Sequence, residues 1–234
     1  MFFWYFSPFF VICAIISIVA EVRVKTTFDR FSRVMSRRGY SAEQVARMIL
    51  DRNNLRHIRI EYVNGHLTDH YDPRAGVIRL SLSVAQSSSV AAIGVAAHEC
   101  GHAMQYEEEY APIVLRNAIV KSTNICSRLS FLLIMVGVLI SYFAAEVSSL
   151  SSLFITLGII AFSVTTFFQL ITLPVEFNAS RRAMATIEAD GILMADEQIG
   201  ARKVLKAAAM TYVAALVVSI LQLLRLIAMF RRRD

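Results

Sequence analysis

The chain has 234 residues, 56% of them hydrophobic, and a mean hydropathy of +0.53. That is too apolar for one ordinary soluble domain, yet 18% charged residues is too many for a bare bundle of spans, so an integral membrane protein with a modest polar region is expected. The net charge of +6 does not call for nucleic acid, because arginines flanking apolar segments account for it and no basic stripe with interleaved aromatics stands apart from them.

Residues 2–20 are apolar for long enough to cross a bilayer. Basic residues follow this stretch (Arg23, Lys25, Arg30, Arg33, Arg37, Arg38), which predicts an uncleaved anchor, residues 1–20, with its C-terminal end in the cytoplasm. Residues 21–128 read as a cytoplasmic α+β region. Ser41-Ala42-Glu43-Gln44 resembles a capping box, and Val45, Met48 and Ile49 supply the apolar face of a helix ending near Asn53-Asn54. Ile58, Ile60 and Tyr62 alternate with Arg59 and Glu61 as in a half-buried strand; Asn64-Gly65 would turn it back into Leu67–Tyr71, and Asp72–Gly76 into a third strand, Val77–Ser83. The expectation is a small antiparallel sheet with Val77–Ser83 at its edge, where a peptide could add as a further strand. Ser87–Ser89 can cap the next helix, which runs to about Tyr106. The acidic cluster Glu107–Glu109 behind it reads as a solvated stretch.

That helix carries His98-Glu99-Cys100-Gly101-His102. A spacing of four turns both imidazoles to one face, where they can hold a divalent ion with Glu99 beside it as a base for water. Cys100, two positions from His98, is rotated away from that face and is assigned to core packing. The other cysteines, Cys13 and Cys126, form no pair with it that would indicate a disulfide or a cysteine zinc knuckle.

Three further apolar segments follow, at 129–145, 150–173 and about 207–229. The first two are joined only by Glu146–Ser149 and so make a transmembrane hairpin, residues 129–173, whose ends emerge on one side. A catalytic zinc takes three protein ligands and keeps one position open, so a third ligand is needed on the side of His98 and His102. Leu173–Arg182 supplies a candidate: Pro174 suits a first helical turn, which would put Glu176 near the N-terminus of a helical segment spanning 174–206. Ser180, four residues on, shares its face and could orient a ligand. His70, Tyr71 and Arg181 are candidate oxyanion stabilisers, and the sequence does not choose among them. For the last segment, 207–234, Arg202, Lys203 and Lys206 argue for a crossing; Arg231–Arg233 together with Gln222 and Arg225 argue for one that lies partly along the surface. Crossing is the expectation.

The N-terminal anchor, the segment Leu67–Arg74, the run Val95–Ala103 around HECGH and Leu173–Ala183 (LPVEFNASRRA) together resemble the YugP-type neutral zinc metallopeptidases of bacterial membranes. The likeness extends to Leu205–Ala215 and covers nearly the whole chain. It implies a multi-pass membrane zinc peptidase with ligands matching His98, His102 and Glu176, with Glu99 as the catalytic residue. A more distant likeness is to the HtpX- and CAAX-prenyl-protease-type membrane zincins, which usually have aspartate where this chain has Ser180. The expected fold is thus a mainly helical α+β membrane protein with about four transmembrane helices and a small antiparallel sheet before the HExxH helix. The expected function is zinc-dependent hydrolysis of peptide or membrane-protein substrates at the cytoplasmic bilayer surface. Two alternatives are a noncatalytic scaffold stapled by metal and a hydrolase of a non-peptide amide or ester. The retained Glu99 speaks against the scaffold, since a closed structural site has no need of a base.

Overall fold

The structure, a computed structural model, describes residues 2–65, 68–143 and 149–231. The chain divides into two compact units, one of residues 17–113 and 174–211, the other of residues 1–16, 114–173 and 212–234.

In the first unit, α2 (Ala42–Arg52) starts on the capping box read from the sequence: Ser41 Oγ accepts from Gln44 N at 3.2 Å and Gln44 Oε1 accepts from Ser41 N at 2.9 Å. Val45, Ile49 and Leu50 are fully buried. The sheet is mixed, and this corrects the antiparallel expectation. The order is β1-β3-β2, with β1 (Arg59–Val63) parallel to β3 (Val77–Ser81) and β2 (His70–Asp72) antiparallel to it. The reason lies at the C-terminal end of β3, where the Asp69 carboxylate accepts from Ser81 N at 2.7 Å and from its hydroxyl. That anchor carries the chain past β3, so that β2 pairs on the side away from β1. The tight turn is therefore the one after β2, where Asp72 Oδ1 accepts from Arg74 N at 3.0 Å and Gly76 takes φ +62°. Gly65 bends at φ +120°, but the start of the return strand expected at Leu67 lies outside the described residues.

β3 is consequently the central strand, not an edge, and is buried on both faces, with Val77, Ile78 and Leu80 fully covered. Its Arg79 reaches both neighbours, Asp72 of β2 at 2.7 Å and Glu61 of β1 at 3.4 Å. It ends in the short α3 (Leu82–Ala85), and α4 (Val90–Glu107) follows, capped by Ser89 Oγ accepting from Ala92 N at 3.2 Å.

In the second unit, α5 (Ala111–Phe143) and α6 (Ser149–Ala189) pack as an antiparallel pair through glycines. A Cβ on Gly137 would stand 2.6 Å from Ile155, and one on Gly158 2.6 Å from Ile134. The linker predicted at Glu146–Ser149 lies almost wholly outside the described residues. Thr166 and Ser219 share a buried hydrogen bond of 2.7 Å between α6 and α7 (Ala195–Arg231). Arg225, the charge that made the last segment ambiguous, places its guanidinium 4.6 Å from the ring centroids of both Phe9 and Phe10 of α1 (Phe2–Phe31). Arg232 and Arg233 lie outside the described residues.

Among the described residues, three helices, α5, α6 and α7, are long and apolar enough to cross a membrane. Their outward apolar surface is large, with Phe131 71% exposed, as lipid-facing helices require. The expected anchor is helical as part of α1, and its crossing is a proposal.

Two helix boundaries differ from expectation. The α5 helix begins at Ala111, well before the apolar stretch, with Pro112 in its first turn, where a missing amide hydrogen costs no helical bond. Pro174 starts no helix: it sits inside α6, forfeiting its own amide bond while the helix runs on to Ala189. Glu176 is therefore a mid-helix residue.

Because β3 is covered on both faces, Leu80→Ala should cost about 2–5 kcal/mol. Thermal unfolding of the detergent-purified protein would check this, with an unchanged midpoint counting against the central position.

Candidate metal centre

The site lies wholly in the first unit and is built where α4 meets α6. Gly101, inside the HECGH segment, makes the meeting close: a Cβ there would stand 2.5 Å from the carbonyl oxygen of Ala179 and 3.1 Å from its Cα. At that separation the side chains flanking Gly101 on α4 face those flanking Ala179 on α6.

His98, His102 and Glu176 converge there. The Nε2 atoms of the two histidines lie 3.4 and 3.6 Å from Glu176 Oε2, and one donor atom from each of the three residues falls within 4.8 Å of the others. The imidazole rings stand edge to face, 4.7 Å apart. All three side chains are largely withdrawn from solvent, Glu176 being 4% exposed.

The remaining ring nitrogens are partnered. Ser180 Oγ lies 3.2 Å from His98 Nδ1, and Gln105 Oε1 lies 3.0 Å from His102 Nδ1. Gln105 is fully buried, and its Nε2 donates to Val175 O at 2.8 Å and Asn178 Oδ1 at 2.9 Å. Two acceptors at that end fix the amide so that its oxygen faces His102. An oxygen can only accept, so His102 Nδ1 carries the proton and Nε2 presents a lone pair toward Glu176. Asn178 Oδ1 also accepts from Arg182 Nε at 2.7 Å, and Arg182 makes a paired contact with both oxygens of Glu108 at 2.7 Å.

Two imidazole nitrogens and a carboxylate oxygen match the three-ligand donor set of a catalytic zinc. Glu99 is 7% exposed, and its Oε2 accepts from the backbone N–H of Tyr71 at 2.9 Å. Its charge is felt at His102. Burial alone would lower the basicity of His102, but the carboxylates of Glu176 and Glu99 and the Gln105 oxygen outweigh it and hold the imidazole above its ordinary value.

The other candidates sit elsewhere. His70 is exposed on β2 with Nδ1 2.8 Å from Thr68 O. Tyr71 meets Glu99 through its amide, while its ring packs edge-on against Tyr106 at 5.4 Å. Arg181 is exposed beside Ser180. Cys100 is fully buried on the opposite face of α4 with Sγ 3.6 Å from Ala46 O, and its thiol is pushed up by burial. Glu108 of the acidic cluster is held by Arg182 rather than merely solvated. Sequence reading passed over Gln105, Asn178 and Arg182, although Gln105 lies three residues from His102 and Asn178 two from Glu176, spacings that could have marked them.

A sequence profile of the family described as "Putative neutral zinc metallopeptidase" matches residues 6–231. The chain belongs to this family. It is also 46% identical over 215 residues to the "Putative membrane protease YugP" of Bacillus subtilis (strain 168), across 92% of each chain. No solved structure gives a significant match. A family of zinc metallopeptidases with a membrane-protease member accords with both the N,N,O donor set and the apolar helices of this chain.

Two outcomes follow for the metal centre. Gly101→Ala should force α4 and α6 apart, costing about 1–3 kcal/mol and weakening zinc binding, whereas Gly94→Ala should be tolerated because its Cβ would meet Ala201 at an ordinary 3.6 Å. Zinc content and melting temperature of the two variants would test the contrast; equal zinc and stability would refute it. A proton on His102 competes with metal, and its raised basicity lets that competition begin at higher pH than for a free imidazole. Zinc retention should therefore be full in mild alkali and fall progressively as the pH drops, as a titration of bound zinc against pH would record.

Proposed function

We propose that this chain is a membrane-bound zinc endopeptidase in which His98, His102 and Glu176 hold the metal and Glu99 is the general base. The observation that carries this reading is the convergence of two imidazole Nε2 atoms and one carboxylate oxygen, with a base one residue from the first ligand. Zinc, when bound, supplies Lewis acidity toward the scissile carbonyl and toward water. The chain's own residues do the rest. The Tyr71 amide holds one oxygen of Glu99, leaving the other free to take the proton of the attacking water and deliver it to the departing amine. Gln105 and Ser180 keep the two imidazoles aimed at the centre.

The proposed topology has an N-terminal anchor, residues 1–20, a helical hairpin, 129–173, and a C-terminal crossing, 207–234. Residues 21–128 and 174–206 then lie on the cytoplasmic side, as the basic residues after the anchor and before the last span favour. Glu176 follows the apolar stretch of α6 by three positions, which puts cleavage near the membrane surface and favours membrane-protein loops or membrane-adjacent peptides as substrates. The edge strand beside α4 is β2, so a substrate strand would add there and not at β3.

The decisive comparison is wild type against Glu99→Gln and Glu176→Ala, with bound zinc and membrane-proteome cleavage measured together. Glu99→Gln should keep zinc and lose cleavage by at least about a hundredfold. Glu176→Ala should lose both. Equal cleavage by wild type and Glu99→Gln would end the peptidase assignment, and full zinc in Glu176→Ala would remove the third ligand.

A further inference from the structure

The stretches of α6 and α7 in the first unit enclose a cleft of about 410 Å³. None of His98, His102 and Glu176 lines it, and it meets the metal centre only behind the outer nitrogen of His98, through Ser180. Its wall is graded along both helices. At the end that adjoins the apolar stretches, 150–173 of α6 and 207–229 of α7, stand Phe177, 41% exposed, and Ala209. Arg181 on α6 and Lys206 on α7 follow, about 4.5–6 Å further along the helix axes. Both are exposed and, among the described residues, make no ion pair. Further again, Arg202 is paired with Glu188, which leaves that end with no net charge. The floor is apolar, from Met184 and Leu205, each at least nine-tenths buried.

We propose that this cleft binds the headgroup of an anionic phospholipid, with Arg181 and Lys206 as the partners of its phosphate. The order of the wall selects the ligand. Both helices are long and apolar enough to cross a membrane, so the end at Phe177 and Ala209 faces the hydrocarbon and the two cations stand at headgroup depth. A lipid reaching the cleft from that side presents an acyl chain first and its phosphate second, which matches an apolar rim followed by cations. The apolar floor keeps water from one side of the phosphate and so strengthens its attraction to them. Two cations without carboxylate partners leave a positive charge that an anionic headgroup neutralises, whereas a choline headgroup brings a cation of its own. A peptide carboxylate or a soluble phosphate would arrive from water and make no use of the exposed Phe177. This inference is independent of the peptidase reading.

The test uses the full-length protein in a zwitterionic detergent, titrated with phosphatidylglycerol or with phosphatidylcholine of the same acyl chains, and counts bound lipid by native mass spectrometry. Phosphatidylglycerol should bind about tenfold more tightly than phosphatidylcholine. Arg181→Gln combined with Lys206→Gln should reduce that preference to about twofold or less. Lys206→Arg, which keeps the charge, should retain it, and so should Lys203→Gln, which removes an exposed cation outside the cleft. Equal binding of the two lipids by wild type would overturn the site. Equal loss of preference in Lys203→Gln and Lys206→Gln would overturn it in favour of diffuse attraction to the membrane surface. Displacement of phosphatidylglycerol by an equal concentration of glycerol 3-phosphate would reassign the cleft to a soluble phosphate ester. Displacement by a decapeptide carrying Glu, but not by its Gln counterpart, would reassign it to a peptide. No arm measures cleavage, so either this inference or the peptidase reading can fail without the other.

Discussion

The candidate site depends on one close approach, that of the Gly101 backbone to Ala179. Helices whose contact residues carry side chains keep their axes about 8–10 Å apart, and a Cβ at position 101 would overlap the Ala179 carbonyl. Removing that Cβ lets α4 settle onto α6 where residues one turn to either side meet. Glu176 then falls between His98 and His102, and Ser180 falls against the outer nitrogen of His98. The glycine of HECGH thus acts through packing, while its neighbours act through their donors. Cys100 completes the division of the helix, since its side points into the core toward α2 and is closed to solvent.

Much of this was legible in the sequence where the signal is local. Helix periodicity put His98 and His102 on one face, turned Cys100 from it and aligned Ser180 with Glu176. The caps at Ser41 and Ser89 were readable because a side-chain oxygen and an amide three residues on make a complete interaction. What the sequence could not carry was pairing at a distance. The strands were found where expected in the chain, but the alternation held only in part, since Tyr62 is 54% exposed, and which strand stood at the centre lay in Asp69 reaching Ser81, a contact across twelve residues with no periodic signature. Gln105 escaped for a similar reason, because its meaning comes from Val175 and Asn178, about seventy residues away.

Pro174 shows how a local rule can mislead about a site while leaving it intact. A proline suits a first helical turn, so the ligand was expected to gain from a helix dipole. In the structure α6 passes through Pro174 without ending, and no helix terminus supports Glu176. Its support is instead two imidazoles and a rigid, mid-helix backbone. A ligand on continuous helix is positioned more tightly than one at a fraying end, so the lost dipole is offset by lost motion.

The two histidines are held in different ways, and the difference has chemical content. The partner of His102 is an amide whose far end is tied to two acceptors, so its oxygen cannot be exchanged for nitrogen without setting donor against donor. That partner accepts and nothing else, which dictates the His102 tautomer. His98 faces a hydroxyl, which can donate or accept by rotating about one bond. The chain of fixed polarity runs from Glu108 through Arg182 and Asn178 to Gln105, and it ends at His102. One imidazole is therefore locked as a ligand by a network reaching the surface, and the other can change its outer hydrogen bond as charge at the centre changes. An aspartate in place of Ser180 would accept only and would lock His98 as well. The serine leaves this centre with one rigid ligand and one adaptable one.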